Sequence, residues 1–303
     1  MSTNSLINPL VGLPEEIHSD LIRILAPNPS PMTFHGTNTY ILGKKELAII
    51  DPGPNCEAHL KAILKSIKHD QTVTHIFVTH SHIDHSPLAA RLAGLVAAPI
   101  LAFGDAVAGK SPVMERLHAL GGGEGLDNNF EPDIILKDGQ TTRGKDWTIE
   151  SIHTPGHLGN HLCFSWIENN FLFSGDLVMG WASSMVSPPD GDLTDFMSSL
   201  KKLMFRKDDL IYFPGHGEPV YNPSERLKDL YAHRKQREKE ILSALKSGFS
   251  SIPDIANKVY KDLDPKLINA ARRNVLAHLI DLTSRNLCLV DGVITLKSNF
   301  FDI

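Results

Sequence analysis

The stretch Thr79-His80-Ser81-His82-Ile83-Asp84-His85 carries four side chains with nitrogen or oxygen donors within six residues. An apolar run, His75–Val78, comes directly before it and indicates a β-strand, which puts these side chains in the loop after the strand. Imidazole nitrogens and carboxylate oxygens are good ligands for zinc and related divalent ions. So dense a set of donors is hard to explain as a solvated polar loop. The stretch therefore predicts a metal site at the end of a strand.

Three later segments carry further donors, each after a predicted strand. They are His153-Thr154-Pro155-Gly156-His157, Phe173-Ser174-Gly175-Asp176 and Phe213-Pro214-Gly215-His216-Gly217. Loops at one edge of a sheet sandwich can converge in space, so these distant segments can complete one site. One loop alone supplies too few donors for two ions, whereas the segments together supply enough.

Residues 34–220 alternate short apolar runs with helical patterns, which predicts an α/β fold. The predicted strands are Thr39–Leu42, Leu47–Ile50, His75–Val78, Thr148–Ile152, Leu162–Trp166, Phe171–Phe173 and Ile211–Phe213. The predicted helices are Glu57–Lys68, Leu88–Val96, Leu193–Leu203 and a long charged one around Glu225–Leu245. The segment Gly109–Asn129 lacks clear periodicity, and we predict a long, mobile loop that acts as a lid.

The pattern changes near residue 236, and we predict a hydrolase domain over residues 1–235 and a small winged-helix-like domain over residues 236–303. The second domain is expected to contain helices Lys239–Leu245, Ser251–Tyr260 and Pro265–Asn286, followed by strands Cys288–Val290 and Val293–Leu296. An Asp291-Gly292 pair between the two apolar runs is a strong hairpin signal. Ten basic and eight acidic residues give this domain a net charge of about +2, weak for a DNA reader. Nucleic-acid binding and protein contact both stay open for it.

The whole chain of 303 residues has a formal net charge of −5, so it has no global positive field to attract nucleic acid. Its three cysteines include no CxxC pair, which argues against a disulfide framework or a thiolate zinc site. Neither a secretion signal nor an apolar run of membrane-spanning length is evident, and we expect a cytoplasmic protein. The Leu276–Leu282 stretch is compatible with a homodimer contact or with a buried core face.

The ordered motifs resemble the metallo-β-lactamase superfamily over nearly the whole chain. Within it, Gly36-Thr37-Asn38-Thr39-Tyr40, Asp51-Pro52-Gly53 and the winged-helix-like end are similar to the lactamase-β-2-like group of bacterial type. The resemblance implies an αββα sandwich and two metal ions. It assigns the first ion to His80, His82 and His157, the second ion to Asp84, His85 and His216, and a bridging position to Asp176.

The resemblance also implies a chemistry. Two zinc ions, or manganese or iron in their place, would lower the pKa of a shared water and provide a metal-bound hydroxide that Asp84 orients. His82 stands where oxygen-reducing di-iron relatives have glutamate, which favours hydrolysis over redox chemistry. Two substrates follow from the family: single-stranded RNA, cleaved as a phosphodiester, or alternatively a small acyl thioester, as in glyoxalase II and related thioesterases. Ser86-Pro87-Leu88 departs from the Gly-Gly pair that usually follows the ligand cluster.

Overall fold

The computed structural model describes residues 10–261 and 264–303. The strands of the described part are β1 Pro14–His18, β2 Leu21–Leu25, β3 Asn38–Leu42, β4 Glu46–Ile50, β5 Thr72–Phe77, β6 Ile100–Ala102, β7 Ile134–Ile135, β8 Thr141–Arg143, β9 Thr148–His153, β10 Leu162–Trp166, β11 Phe171–Gly175, β12 Ile211–Pro214, β13 Leu289–Val290 and β14 Phe300–Phe301. The α-helices are α1 Glu57–Ser66, α2 Ala89–Val96, α3 Pro112–Glu115, α4 Leu193–Met204, α5 Pro223–Lys246, α6 Ile252–Val259 and α7 Ile268–Ser284. The prediction that the chain starts without a secretion signal falls partly on residues 1–9, which lie outside the described residues.

Two sheets form the centre of the larger domain. The first contains β1 to β7 in chain order, and the second has the order β12-β11-β10-β9-β8. Pairing is antiparallel from β1 to β4 and parallel from β4 to β7, and in the second sheet only β11 and β12 are parallel. Helices α1, α2 and α4 make the crossovers between parallel neighbours, as such connections require.

Strand β4 shows how the sequence separates the layers, because its alternate side chains belong to two different cores. Ala48 and Ile50 pack between the sheets, in an aromatic core that includes Tyr40, Phe77 and Trp147. Leu47 and Ile49 point the other way. They pack in a second core with side chains of α1 and α2. Helices α4 and α5 cover the second sheet in the same manner, so the predicted αββα sandwich is confirmed.

The four helices predicted in the larger domain are all present, and the seven predicted strands match to within a few residues. Strands β1, β2, β6, β7 and β8 of the larger domain were not predicted. The helix predicted separately at Lys239–Leu245 is the end of the continuous helix α5. The predicted division between residues 235 and 236 lies inside α5 and stays a prediction.

The predicted hairpin between Cys288–Val290 and Val293–Leu296 is wrong in its second strand. Strand β13 pairs instead with β14, with Val290 opposite Phe300. Burial explains the choice, because Phe300 is fully buried in the core of the C-terminal helices, whereas Val293 is 76% exposed. The module is still a set of three helices closed by a two-stranded sheet, as a winged helix requires.

The segment Gly109–Asn129 is more ordered than we predicted. Ser111 accepts a hydrogen bond from the Met114 amide and caps the short helix α3. Met114, Leu117 and Leu120 pack into the core of the C-terminal module. The segment therefore joins the two domains, and its action as a lid stays a prediction.

Three smaller expectations can also be compared with the structure. The three cysteines are free, as predicted. The apolar side chains of 276–282 are buried in the protein's own cores, so this stretch leaves no exposed apolar face, and a homodimer stays a prediction. In the part of the chain that the structure describes, no helix has the length and apolar character needed to cross a membrane. The cytoplasmic location stays a prediction.

Candidate metal centre

All seven predicted donors lie at one edge of the sandwich, in loops that follow the carboxyl ends of β5, β9, β11 and β12. Parallel pairing of β11 with β12 places Asp176 and His216 side by side. The Asn38 amide donates to the Gly215 carbonyl at 2.8 Å, which ties the end of β12 to the first sheet. The fold thus brings together donors that are up to 136 residues apart in the sequence.

The donors form two groups. In the first, His82 Nδ1 lies 2.9 Å from His80 Nε2 and 3.1 Å from His157 Nε2. In the second, His216 Nε2 lies 3.1 Å from Asp84 Oδ2 and 3.3 Å from His85 Nε2. The atoms of each group lie within 4.8 Å of one another, which is compatible with a shared ion.

Asp176 lies between the two groups. Its Oδ2 is 3.6 Å from His157 Nε2 and 3.4 Å from His216 Nε2, so one carboxylate reaches both. Its Oδ1 is buried without a hydrogen-bond partner. The structure brings all seven predicted donors together, and their roles as ligands stay predictions.

One carboxylate that we had not assigned a role, Asp51, orients a histidine in each group. Asp51 Oδ2 accepts a hydrogen bond from His85 Nδ1 at 2.9 Å and another from the Thr79 hydroxyl at 2.7 Å. Since the Thr79 hydroxyl gives its proton to Asp51, it accepts from His80 Nδ1 at 2.9 Å. Both histidines therefore carry a proton on Nδ1 and turn Nε2 inward. The Asp51-Pro52-Gly53 turn was quoted for the family, but the sequence did not indicate this contact.

Backbone carbonyls orient two more ligands in the same way. His157 Nδ1 donates to the Met185 carbonyl at 2.8 Å, and His216 Nδ1 donates to the Gly36 carbonyl at 3.1 Å. Four imidazoles thus direct an Nε2 atom into one buried space. Converging lone pairs repel one another unless a cation lies between them, and outer hydrogen bonds of this kind are typical of metal-binding histidines. The residues present therefore fit divalent metal ions.

The charges of the two groups differ. Burial and the neighbouring His157 lower the pKa of His82 to about 3, and burial holds the pKa of His80 well below its ordinary value, so the first group is neutral. Burial opposes a charge on His85 as well, but Asp84 and Asp176 outweigh it and raise the pKa of His85 to about 9. The second group therefore holds protons when no metal is bound, and metal binding there must release them.

His153 and His161, which flank His157 in the sequence, lie outside both donor groups. His161 Nε2 accepts the Asp176 backbone amide at 3.1 Å and so supports the bridging residue. His153 stacks on Phe103 with ring centroids 3.8 Å apart.

A cavity of about 670 Å³ lies over the metal centre, between the larger domain and the C-terminal module. Its lining includes five of the predicted ligands, namely His82, Asp84, His157, Asp176 and His216. Met32, Met179, Trp181 and Met185 line it from the larger domain, and Tyr260, Leu267, Ala270, Ala271 and Asn274 line it from the module. The sequence did not predict that the module supplies one wall of the active site.

Comparison with known proteins agrees with this geometry. Residues 32–216 match the metallo-beta-lactamase superfamily, and residues 251–292 match the beta-lactamase associated winged helix domain. A beta-lactamase-like protein 2 homolog of Drosophila melanogaster is 32% identical over 289 residues, covering 90% of this chain and 91% of that protein. An atrochrysone carboxyl ACP thioesterase of Paecilomyces divaricatus is 31% identical, covering 76% of this chain and 66% of that protein.

The fold is also found in solved structures. A beta-lactamase domain protein from Burkholderia ambifaria is 20% identical and superposes with a TM-score of 0.79, covering 97% of this chain and 95% of that one. The superfamily is metal-dependent, and the His and Asp groups described above could hold a metal ion. The chain is therefore a hydrolase of the metallo-β-lactamase superfamily that carries a C-terminal winged-helix domain.

Proposed function

We propose that the chain hydrolyses acyl thioesters with two divalent metal ions, with zinc as the expected ion and manganese or iron as alternatives. The observation that carries this proposal is the apolar character of the cavity over the metal centre. Methionine, tryptophan and small aliphatic side chains dominate its walls, and such walls suit an acyl chain.

The same cavity bears on the RNA alternative. Proteins that bind single-stranded nucleic acid line the groove with cationic side chains that contact phosphates. Among the described residues that line this cavity there is no lysine or arginine, and Glu124 adds a negative charge. The thioesterase relative supports the acyl substrate further. We therefore place the acyl thioester first and retain single-stranded RNA as the alternative that the experiment below tests.

The chain's own residues would divide the work as follows. Bound divalent ions supply Lewis acidity and lower the pKa of a water molecule. Asp84, whose side chain is 21% exposed toward the cavity, accepts a hydrogen bond from the attacking water and orients it. Water adds to the thioester carbonyl and releases its proton to the solvent, the C–S bond breaks with its electron pair on sulfur, and a carboxylic acid and a thiolate are formed. Since a thiol has a pKa of about 8.5, its thiolate leaves without prior protonation.

The test uses the full chain, stripped of metal and reloaded separately with zinc, manganese or iron. Acyl thioesters of N-acetylcysteamine and labelled single-stranded RNA are offered in parallel to the wild type and to Asp84→Asn. We expect thioester hydrolysis that falls at least about 100-fold in Asp84→Asn, because a group that positions the reacting water is lost. Asp133→Asn, a change of the same kind at the edge of β7 away from the site, should retain activity.

The outcomes separate the two substrates. RNA cleavage that depends on Asp84, without thioester hydrolysis, would replace our proposal by the phosphodiesterase. Activity that survives Asp84→Asn would refute the role of this carboxylate. The metal-free Asp84→Asn protein should unfold within about 3 °C of the wild type, because the amide oxygen still accepts from His216.

A further inference from the structure

A second, smaller cavity of about 40 Å³ lies beside the first group of metal donors. His82 and His157 form part of its lining, and Arg273 of helix α7 lies on it from the C-terminal module. A water molecule occupies about 30 Å³ in the liquid, so this space accommodates a small polar group and excludes a chain.

Arg273 is held in place without being neutralised. Its Nη1 donates to the carbonyls of Leu120 at 3.2 Å and Pro188 at 3.0 Å, one in each of two loops. Within residues 10–261 and 264–303, no carboxylate lies at ion-pair distance from its guanidinium. A guanidinium carries five N–H donors, so donors besides those on Nη1 remain for a ligand.

Two carboxylates, Asp190 and Glu124, line the same small cavity as Arg273. Asp190 pairs with Lys110 at 2.9 Å and accepts the Gly123 amide at 2.6 Å. Glu124 is exposed and makes no ion pair with Arg273. The small cavity therefore contains one anchored cation, Arg273, which forms no ion pair with either of the two carboxylates that share the lining.

A run of three glycines, Gly121-Gly122-Gly123, shapes this cavity. Gly122 has φ +110°, and a Cβ atom on it would approach Asp190 Oδ2 to 2.7 Å and Pro189 Cδ to 2.8 Å. A side chain at this position would push the loop away from Asp190. Glycine here keeps the loop close and the cavity intact.

We propose that Arg273 binds a carboxylate on the substrate, so that the preferred substrates are thioesters whose acyl group carries a second, anionic end. This inference rests on the proposed thioesterase function. An arginine pairs with a carboxylate through two parallel hydrogen bonds, which gives both affinity and orientation. The 40 Å³ cavity takes the carboxylate, and the larger cavity takes the rest of the molecule. The winged-helix module thereby contributes a specificity-determining residue to the site.

The test compares two thioesters of the same thiol, succinyl and 4-methylpentanoyl, since the second replaces the carboxylate by an uncharged group of the same shape. The wild type should prefer the succinyl thioester in kcat/KM. In Arg273→Gln this preference should fall about 10- to 100-fold, mainly through a higher KM, because a charged hydrogen-bond donor is lost. Arg273→Lys should lie in between. Arg272→Gln removes the same charge from the neighbouring position and should keep the wild-type preference.

A binding measurement on the metal-loaded protein separates failure of this inference from failure of the proposed function. Succinate should bind more tightly than 4-methylpentanoate by calorimetry, and Arg273→Gln should remove most of the difference. If no thioester is hydrolysed while this difference is present, the thioesterase function fails and the carboxylate site stands. If the wild type does not discriminate the two acids, or if Arg273→Gln discriminates as the wild type does, the carboxylate site is refuted.

Discussion

Asp51→Asn tests whether one buried carboxylate orients ligands in both metal groups. Asp51 is 2% exposed, and its two oxygens accept from the Thr79 amide, the Thr79 hydroxyl and His85 Nδ1 at 2.7, 2.7 and 2.9 Å. Asparagine keeps the shape of the side chain. It also tolerates the left-handed backbone at this position, where φ is +51°, so the substitution adds no new backbone strain.

The size of the effect follows from counting donors. The asparagine amide group must replace one of the two oxygens, so its N–H groups meet either the Thr79 amide or His85 Nδ1, which are donors themselves. At least one buried donor then loses its acceptor, at a cost of about 1–3 kcal/mol in the free energy of unfolding of the metal-free protein. Loss of an orienting partner typically lowers metal affinity about 10- to 100-fold. When the amide nitrogen replaces Oδ2, the Thr79 hydroxyl and His85 Nδ1 both lose their acceptor, and we expect the loss in both metal sites.

The assay is competition between the full-length protein and a chromophoric chelator, which reports the affinities of the two sites separately. Urea unfolding of the metal-free protein reports stability, and Asp133→Asn is the matched control. If both sites of Asp51→Asn bind zinc as tightly as those of the wild type, the hydrogen-bond chain from Asp51 to His80 and His85 is not what orients these ligands.

Two further predictions concern ionisable side chains whose pKa is shifted by burial, Arg234 and Asp195. Arg234 has no carboxylate partner among the described residues, and burial lowers its pKa to about 10. Its guanidinium donates to the Ser184 carbonyl, in the same loop as the Met185 carbonyl that orients His157. Arg234→Met should therefore weaken the first metal site about 10-fold in the chelator assay and leave the second as in the wild type, whereas equal weakening of both would contradict this reasoning. Burial and the nearby Asp192 raise the pKa of Asp195 to about 6. The folded state therefore binds the carboxyl proton of Asp195 more tightly than the unfolded state does, and the free energy of unfolding falls as the pH rises from about 4 to 6. In urea unfolding, Asp195→Asn should have a free energy of unfolding up to about 1 kcal/mol above that of the wild type at pH 7.5, and no difference at pH 4. A difference that does not depend on pH would contradict this assignment.

The sequence was sufficient for the metal donors and the sandwich because both depend on local patterns. Strand β4 alternates the sides of its side chains, and the donor loops follow apolar strands directly, so periodicity and position predict them. Helix α5 was recognised for a similar reason, since its charged pattern continues over many turns.

The C-terminal sheet and the cavities depend on contacts that no local pattern contains. Val293–Leu296 has the apolar pattern of a strand, but it does not pair with β13. Phe300 is buried in the module core, and its strand β14 pairs with β13 instead. The loop around Met114 lacks periodicity because its order comes from packing against the module. Arg273 looks like any surface arginine of a helix until the fold brings α7 to the metal centre.

The position of the module also explains why its modest charge does not argue against a functional role. A nucleic-acid reader needs a positive surface, whereas a domain that forms one wall of an active site needs apolar contacts and one well-placed cation. Helix α7 offers both, with Ala270 and Ala271 on the large cavity and Arg273 on the small one. Its neighbour Asn274 accepts hydrogen bonds from Arg234 and from the Val186 amide, so the module is also linked to the loop that orients His157. The winged helix is therefore better understood as part of the substrate site than as an independent binding domain.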